Sequence, residues 1–259
     1  MDPFYAADIA ILGLVIGSFL TVVIYRLPRG TLFKHARSVC PQCGHQLKLR
    51  HMIPIISHIV LRGRCAFCGA RIPIRYSLVP ALNAGLYVYF YYAFGITYLS
   101  AIYALLASTL LVIFFIDLDH QIIPDSLTIP GMVLGVVASR IPGSIGLVNS
   151  LIGLLVGGVA LLAIALLGDW LFKKESMGGG DIKMAAMLGA FLGWQKVLLV
   201  FVMSAVIGLL VSIALLTVSE RLRREHLIPF GPFLSAAAVL AIAWGDHLIA
   251  FYSRHFLGF

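Results

Sequence analysis

The chain has 259 residues, 61% of them hydrophobic and 12% charged, and its mean hydropathy is +1.00. A soluble domain carries about 25% charged residues because it needs a solvated surface. This composition therefore excludes an ordinary soluble globule and implies an all-α polytopic membrane protein. The net charge of +8 is not a nucleic-acid signal, because its distribution follows membrane topology.

A spanning helix needs about 20 apolar residues to cross roughly 30 Å of hydrocarbon. Up to eight stretches qualify in chain order: 8–25, 78–94, 98–116, 126–141, 146–168, 182–194, 197–218 and 231–252. The sixth is short enough to be tilted or re-entrant, so seven or eight spans are expected. The first has no basic region ahead of it and no small-residue cleavage site, and Arg26-Leu27-Pro28-Arg29 follows it. That pattern reads as a retained helix with its N-terminus outside.

With eight spans, residues 26–77, 117–125, 169–181 and 219–230 face the cytoplasm. The first segment holds ten basic residues: Arg26, Arg29, Lys34, Arg37, Lys48, Arg50, Arg62, Arg64, Arg71 and Arg75. Lys173, Lys174 and Lys183 add three, and Arg221, Arg223 and Arg224 three more. Only Arg140, Lys196 and Arg254 of the 19 then face outside, as the positive-inside rule predicts.

Residues 26–77 are the one soluble piece long enough to fold, and a piece this small needs a staple. It contains Cys40-Pro-Gln-Cys43 and Cys65-Ala-Phe-Cys68, all four cysteines of the chain. Two such pairs fit a tetrahedral zinc site with four thiolate ligands. Gly44 and Gly69 follow them, where a tight knuckle needs a permissive backbone. The alternative is redox pairs or disulfides, which a reducing cytoplasm disfavours. Four thiolates leave no open position on the metal, so the zinc would be structural.

The third apolar stretch ends in Asp117-Leu-Asp119-His120-Gln121-Ile-Ile-Pro124-Asp125. An aspartate at mid-membrane costs about 2.5–3.5 kcal/mol, so one near a helix end has either snorkelled to water or serves a purpose. Asp125 or Ser126 would also serve as an ordinary helix cap. Asp117 is still attached to the apolar run and is the stronger functional candidate. Ser176-Met177-Gly178-Gly179-Gly180-Asp181-Ile182-Lys183 opens the sixth stretch. Its glycines allow close backbone approach, although alone it also reads as a flexible loop ending in an Asp cap. Asp117 and Asp181 share one expected membrane face. Two adjacent carboxylates share a proton, so that one can activate water while the other donates to a carbonyl.

Gly153-x-x-x-Gly157 with Gly158 is a small-residue packing face, and the run from Ile228 to Phe233 a break before the last span. His35, His51 and His226 are ordinary loop residues. No Gly-rich nucleotide fingerprint, Walker motif or serine elbow occurs.

Taken in order, these motifs resemble the type IV prepilin peptidases, membrane aspartyl proteases of the GxGD type. The resemblance runs from Gly17-Ser18-Phe19 and Arg26-Leu27-Pro28 through the cysteine pairs and Arg75-Tyr76. It continues in Asp117 to Asp125, Gly178-Gly179-Gly180-Asp181-Ile182-Lys183 and Pro229-Phe230-Gly231-Pro232. It implies a bacterial inner-membrane enzyme that cuts prepilin and pseudopilin leaders on the cytoplasmic side, with Asp117 and Asp181 catalytic. Gly178, Gly179, Gly180, Asp119, Asp125 and Lys183 would support them. Many members also methylate the new N-terminus with S-adenosylmethionine, an activity associated with the cysteine-rich segment, where Gly63 matches a glycine linked to methyl transfer. Thr21 and Pro80 depart from the usual Asn and Glu, a loss that bears on methyl transfer rather than cleavage. The expected organisation is a first transmembrane helix (1–25), a four-cysteine zinc domain (26–77) and a helical protease core (78–259). The expected partners are the pilin substrates and the lipid bilayer, not nucleic acid. The rival from another class is a secretion scaffold whose zinc domain docks partners without catalysis.

Overall fold

The computed structural model describes residues 2–32, 42–46, 56–173, 177–218 and 229–257. Among them the extended regular structure is helical, with turns between helices and an isolated antiparallel bridge between Arg64 and Arg71. The helices are α1 (Pro3–Arg26), α2 (Ile56–Val60), α3 (Arg75–Phe94), α4 (Tyr98–His120), α5 (Asp125–Ala138), α6 (Leu147–Phe172), α7 (Gly179–Leu192), α8 (Trp194–Val218) and α9 (Gly231–Tyr252), ending in a π-helical turn (Ser253–Leu257).

Eight of these match the eight apolar stretches, and the five-residue α2 is an addition within the cysteine-bearing segment. Five are long and apolar enough to cross a membrane: α1, α4, α6, α8 and α9, the last extended to His255. The others fall short for different reasons. α3 has the length but its apolar character is diluted by Asn83 and several tyrosines, while α5 and α7 have only 14 residues each. Fourteen residues rise about 21 Å, less than the roughly 30 Å of hydrocarbon. Such short helices are tolerated at membrane depth where protein encloses their ends.

The chain forms two compact units, Met1–Val112 and Ile113–Phe259. In the first, α1 lies against α3 at two glycines one turn apart. A Cβ at Gly13 would stand 2.6 Å from the Ala84 Cα, and one at Gly17 2.5 Å from the Pro80 Cα. Pro80 is thus a buried packing residue inside α3. Asn83 is fully buried and its polar atoms are satisfied. Its Nδ2 donates to Gly13 O at 2.8 Å, and its Oδ1 accepts from Ser108 Oγ at 2.8 Å. Tyr87 closes the network on Ser108 at 3.1 Å. Buried polar groups in lipid demand such partners.

In the second unit α7 is the central helix, every residue from Met184 to Leu192 being buried. α6 reaches its backbone through the small-residue face expected from the sequence. A side chain at Gly153 would collide with Gly189 O, and one at Gly157 with Ala185 O. Ser150 Oγ also donates to Ala190 O at 2.7 Å. On another side α5 brings Gly135 against Ala190 and Phe191. These contacts enclose the body of α7, whose first turn carries Asp181.

Candidate active site

Asp117 sits in the last turn of α4. It is 5% exposed, whereas Leu118, Asp119 and His120 just after it are exposed. Within a single turn of helix, therefore, the acid is buried and its neighbours face outward. The helix stops at Gln121, whose φ of +54° turns the chain. Ile122 and Ile123 then lead to Pro124, which starts α5 with an extended backbone. Proline biases the residue before it away from helix, so the break between α4 and α5 is written in the sequence.

The oxygen Oδ2 of Asp117 accepts a hydrogen bond from the N–H of Gly231, the first residue of α9, at 3.0 Å. Asp181 is the third residue of α7, with Gly178 at the N-cap. Its own N–H donates to Gly178 O at 3.1 Å, and its carboxylate lies beside Gly178. The acid is thus not itself the cap. Its Oδ1 is buried without a hydrogen-bond partner. Gly180, beside Asp181, and Gly231, which holds Asp117, both approach Ile123, so the two acids stand at one locality. Asp117 is held by a backbone group at the start of α9, and Asp181 stands in the first turn of α7.

Ile123 is the wedge between these segments. A Cβ at Gly180 would stand 2.9 Å from the Ile123 Cβ, and one at Gly231 3.2 Å from its Cδ1. Of the three glycines before Asp181, only Gly180 is required for close approach. Gly179 has open space, and a Cβ at Gly178 would meet only the Asp181 carboxylate at an ordinary 3.6 Å. Asp125 is the first residue of α5 and not its cap, because Pro124 occupies that position. Its Oδ2 pairs with Lys183 Nζ at 2.6 Å, with both side chains about half exposed.

A buried carboxylate and a second one with a buried oxygen, brought to one locality, are equipment for moving protons to and from a water molecule. Sequence reasoning missed Ile123 and the contact between Gly231 and Asp117. Both Ile123 and Gly231 lie inside motifs of the resemblance, the first within Asp117 to Asp125 and the second within Pro229 to Pro232, but the latter run read locally as a helix break and neither motif recorded the contact.

In the other unit, the Sγ atoms of Cys43, Cys65 and Cys68 lie within 4.8 Å of one another, a cluster that could hold a metal. Tetrahedral zinc at about 2.3 Å from each sulfur puts sulfurs roughly 3.8 Å apart, which this spacing fits. Cys40 lies outside the described residues. Gly44 and Gly69 have φ of +68° and +70°, the left-handed conformation expected after each pair. The second knuckle closes through Gly69 N–H to Cys65 O at 3.0 Å and Cys65 N–H to Ala70 O at 2.8 Å. Gly63 also has positive φ, +67°, and a Cβ there would stand 3.0 Å from His58 Nε2. Its N–H donates to His58 O at 2.8 Å. The glycine is thus demanded by the turn itself.

Residues 11–94 match the bacterial peptidase A24 N-terminal domain, and residues 104–213, with both aspartates, match the type IV leader peptidase family. Full-length relatives are similar. A prepilin leader peptidase/N-methyltransferase of Pseudomonas putida is 35% identical over 100% of this chain and 97% of its own length. Relatives with that same description occur in Stutzerimonas stutzeri, 37% identical over 93% of this chain and 91% of its own length, and in Aeromonas hydrophila, 35% identical over 98% and 95%. No solved structure matches the chain. With this span and identity, the chain belongs to the type IV leader peptidase family.

Proposed function

We propose that the chain is a membrane aspartic endopeptidase that removes the leader of type IV prepilins and pseudopilins, with Asp117 and Asp181 as the catalytic pair. The observation that carries this reading is geometric: Ile123 packs against both Gly231, whose N–H holds the buried Asp117, and Gly180, next to Asp181, so acids from two distant segments stand at one locality. Burying acids is costly unless they are used or neutralised, which argues against a scaffold with idle aspartates.

In the hydrolytic step, the water oxygen bonds to the scissile carbonyl carbon. One carboxylate takes the water proton, while the other, protonated, gives its proton to the carbonyl oxygen. Collapse of the resulting diol breaks the C–N bond and delivers a proton to the leaving amine, and the pair again shares one proton. Gly178, Gly180, Asp125 and Lys183 support the pair through the contacts described, and Asp119 and Gly179 flank it.

The basic-residue distribution supports a cytoplasmic active site in a bacterial inner-membrane protein with its N-terminus outside. By role the chain divides into a first transmembrane helix (1–25), a cytoplasmic zinc segment (26–77) and a helical protease core (78–259). Cys40, Cys43, Cys65 and Cys68 are the proposed zinc ligands, and four thiolates make the metal a staple. Methylation of the new N-terminus from S-adenosylmethionine is the second proposed activity, with Gly63 in its segment. Co-expression with a prepilin tests both. The leader is expected to be lost on a gel, and a labelled methyl group to appear on the product. A prepilin left full length by an inserted, correctly folded protein would overturn the cleavage reading.

A further inference from the structure

Gly231 lies 114 residues beyond Asp117 and outside the family match that ends at residue 213. It opens α9, and the first N–H groups of a helix have no intrahelical partner. Their fates here are specific. Phe233 and Leu234 donate to Phe230 O at 3.0 and 3.1 Å, and Pro232 has no N–H to give. The Gly231 N–H goes to Asp117 Oδ2 at 3.0 Å.

The same position refuses a side chain. A Cβ at Gly231 would stand 2.6 Å from Asp117 Oδ2 and 3.1 Å from its Cγ. A backbone donor and an absent side chain are therefore required at one residue, and both requirements are set by Asp117. Donor and acceptor are buried, where a hydrogen bond to a carboxylate is strong.

We infer that Gly231 is a positioning residue for leader cleavage: its N–H holds Asp117 Oδ2, so that Asp117 exchanges protons with water and substrate through Oδ1. This rests on the reading of Asp117 and Asp181 as the catalytic pair. The start of α9 is then a third component of the site, beside the two aspartate segments. It fixes the Asp117 carboxyl against rotation and adds no group of its own to the chemistry.

The test uses the full-length protein in lipid vesicles with a prepilin substrate. Glycolic acid introduced at position 231 by nonsense suppression replaces the amide N–H with an ester oxygen and adds no volume; Gly231→Ala adds the colliding Cβ. For the ester, kcat is expected to fall roughly 10- to 100-fold, the value of a hydrogen bond to a charged group. KM should stay within about twofold and the melting temperature within a few degrees. Gly231→Ala should lose more in kcat. An ester protein with wild-type kcat overturns the inference. So does one that loses only KM, which would make Gly231 a binding residue, or one that fails to fold, which would make the bond merely structural. Asp117→Asn runs alongside: if that variant cleaves normally, the catalytic-pair reading itself fails, whereas an inactive Asp117→Asn with a fully active ester removes only the role of Gly231.

Discussion

Lys183 Nζ lies 2.6 Å from Asp125 Oδ2, tying the start of α5, just past the Asp117 segment, to the first turns of α7, which carry Asp181. Both side chains are about half exposed, so solvent screening leaves the pair worth less than about 1 kcal/mol of stability. Its expected effect is on alignment. Lys183→Met should leave the melting temperature within a few degrees while leader cleavage falls about 3- to 10-fold. Wild-type activity at high salt should decline in the same direction. The charge-swapped double variant Lys183→Asp with Asp125→Lys, measured in the same assay, should recover part of the loss.

Gly180 and Ile123 should behave as a coupled pair. Gly180→Ala sets a Cβ 2.9 Å from the Ile123 Cβ and is expected to reduce cleavage at least tenfold by displacing Asp181. Ile123→Ala in the same chain opens the space. A double-mutant cycle on cleavage rate should give a coupling energy above about 1 kcal/mol; additive losses would contradict the wedge.

Contact between α6 and α7 is backbone to backbone, so it tolerates little. Gly153→Val would drive a branched side chain into Gly189 O. It should destabilise the protein by about 3 kcal/mol or more, because neither backbone can yield without unpacking a helix. Thermal unfolding in detergent measures this. Gly179→Ala, where no atom lies within 4 Å, should change stability by less than about 1 kcal/mol.

For the cysteine cluster, elemental analysis of purified protein should find about one zinc per chain. Cys65→Ser should lose it, because the three described sulfurs already stand at ligand spacing. Loss of the metal should speed proteolytic nicking within residues 26–77 and leave cleavage by the membrane core within several-fold of wild type. A metal-free Cys65→Ser protein as resistant to nicking as wild type would contradict a stapling role.

Much of this architecture is legible because it is local. An apolar run announces a helix in its own residues: 231–252 is expected and Gly231–Tyr252 is found, and the expected 182–194 becomes Gly179–Leu192. The knuckle glycines are legible for the same reason, since positive φ after each cysteine pair is a demand of the adjacent turn. The short α2 is not, because five residues carry too little periodicity. Nor is the difference between Gly179 and Gly180, or the ion pair of Asp125 and Lys183. Those depend on which distant segments meet, and no pattern within a segment records its partner. Asp117 stands out because it remains in an apolar run, while its anchor at Gly231 lies hidden in a motif that reads as a helix break.

The most direct test of the account is the rate of prepilin leader cleavage by Asp117→Asn, Asp181→Asn and the double variant, each inserted in vesicles and matched for melting temperature. If the two acids act as one unit, each single substitution abolishes cleavage to the level of the double variant, because removing either member of a shared-proton pair removes the whole effect. Wild-type processing by either single variant would contradict the catalytic pair.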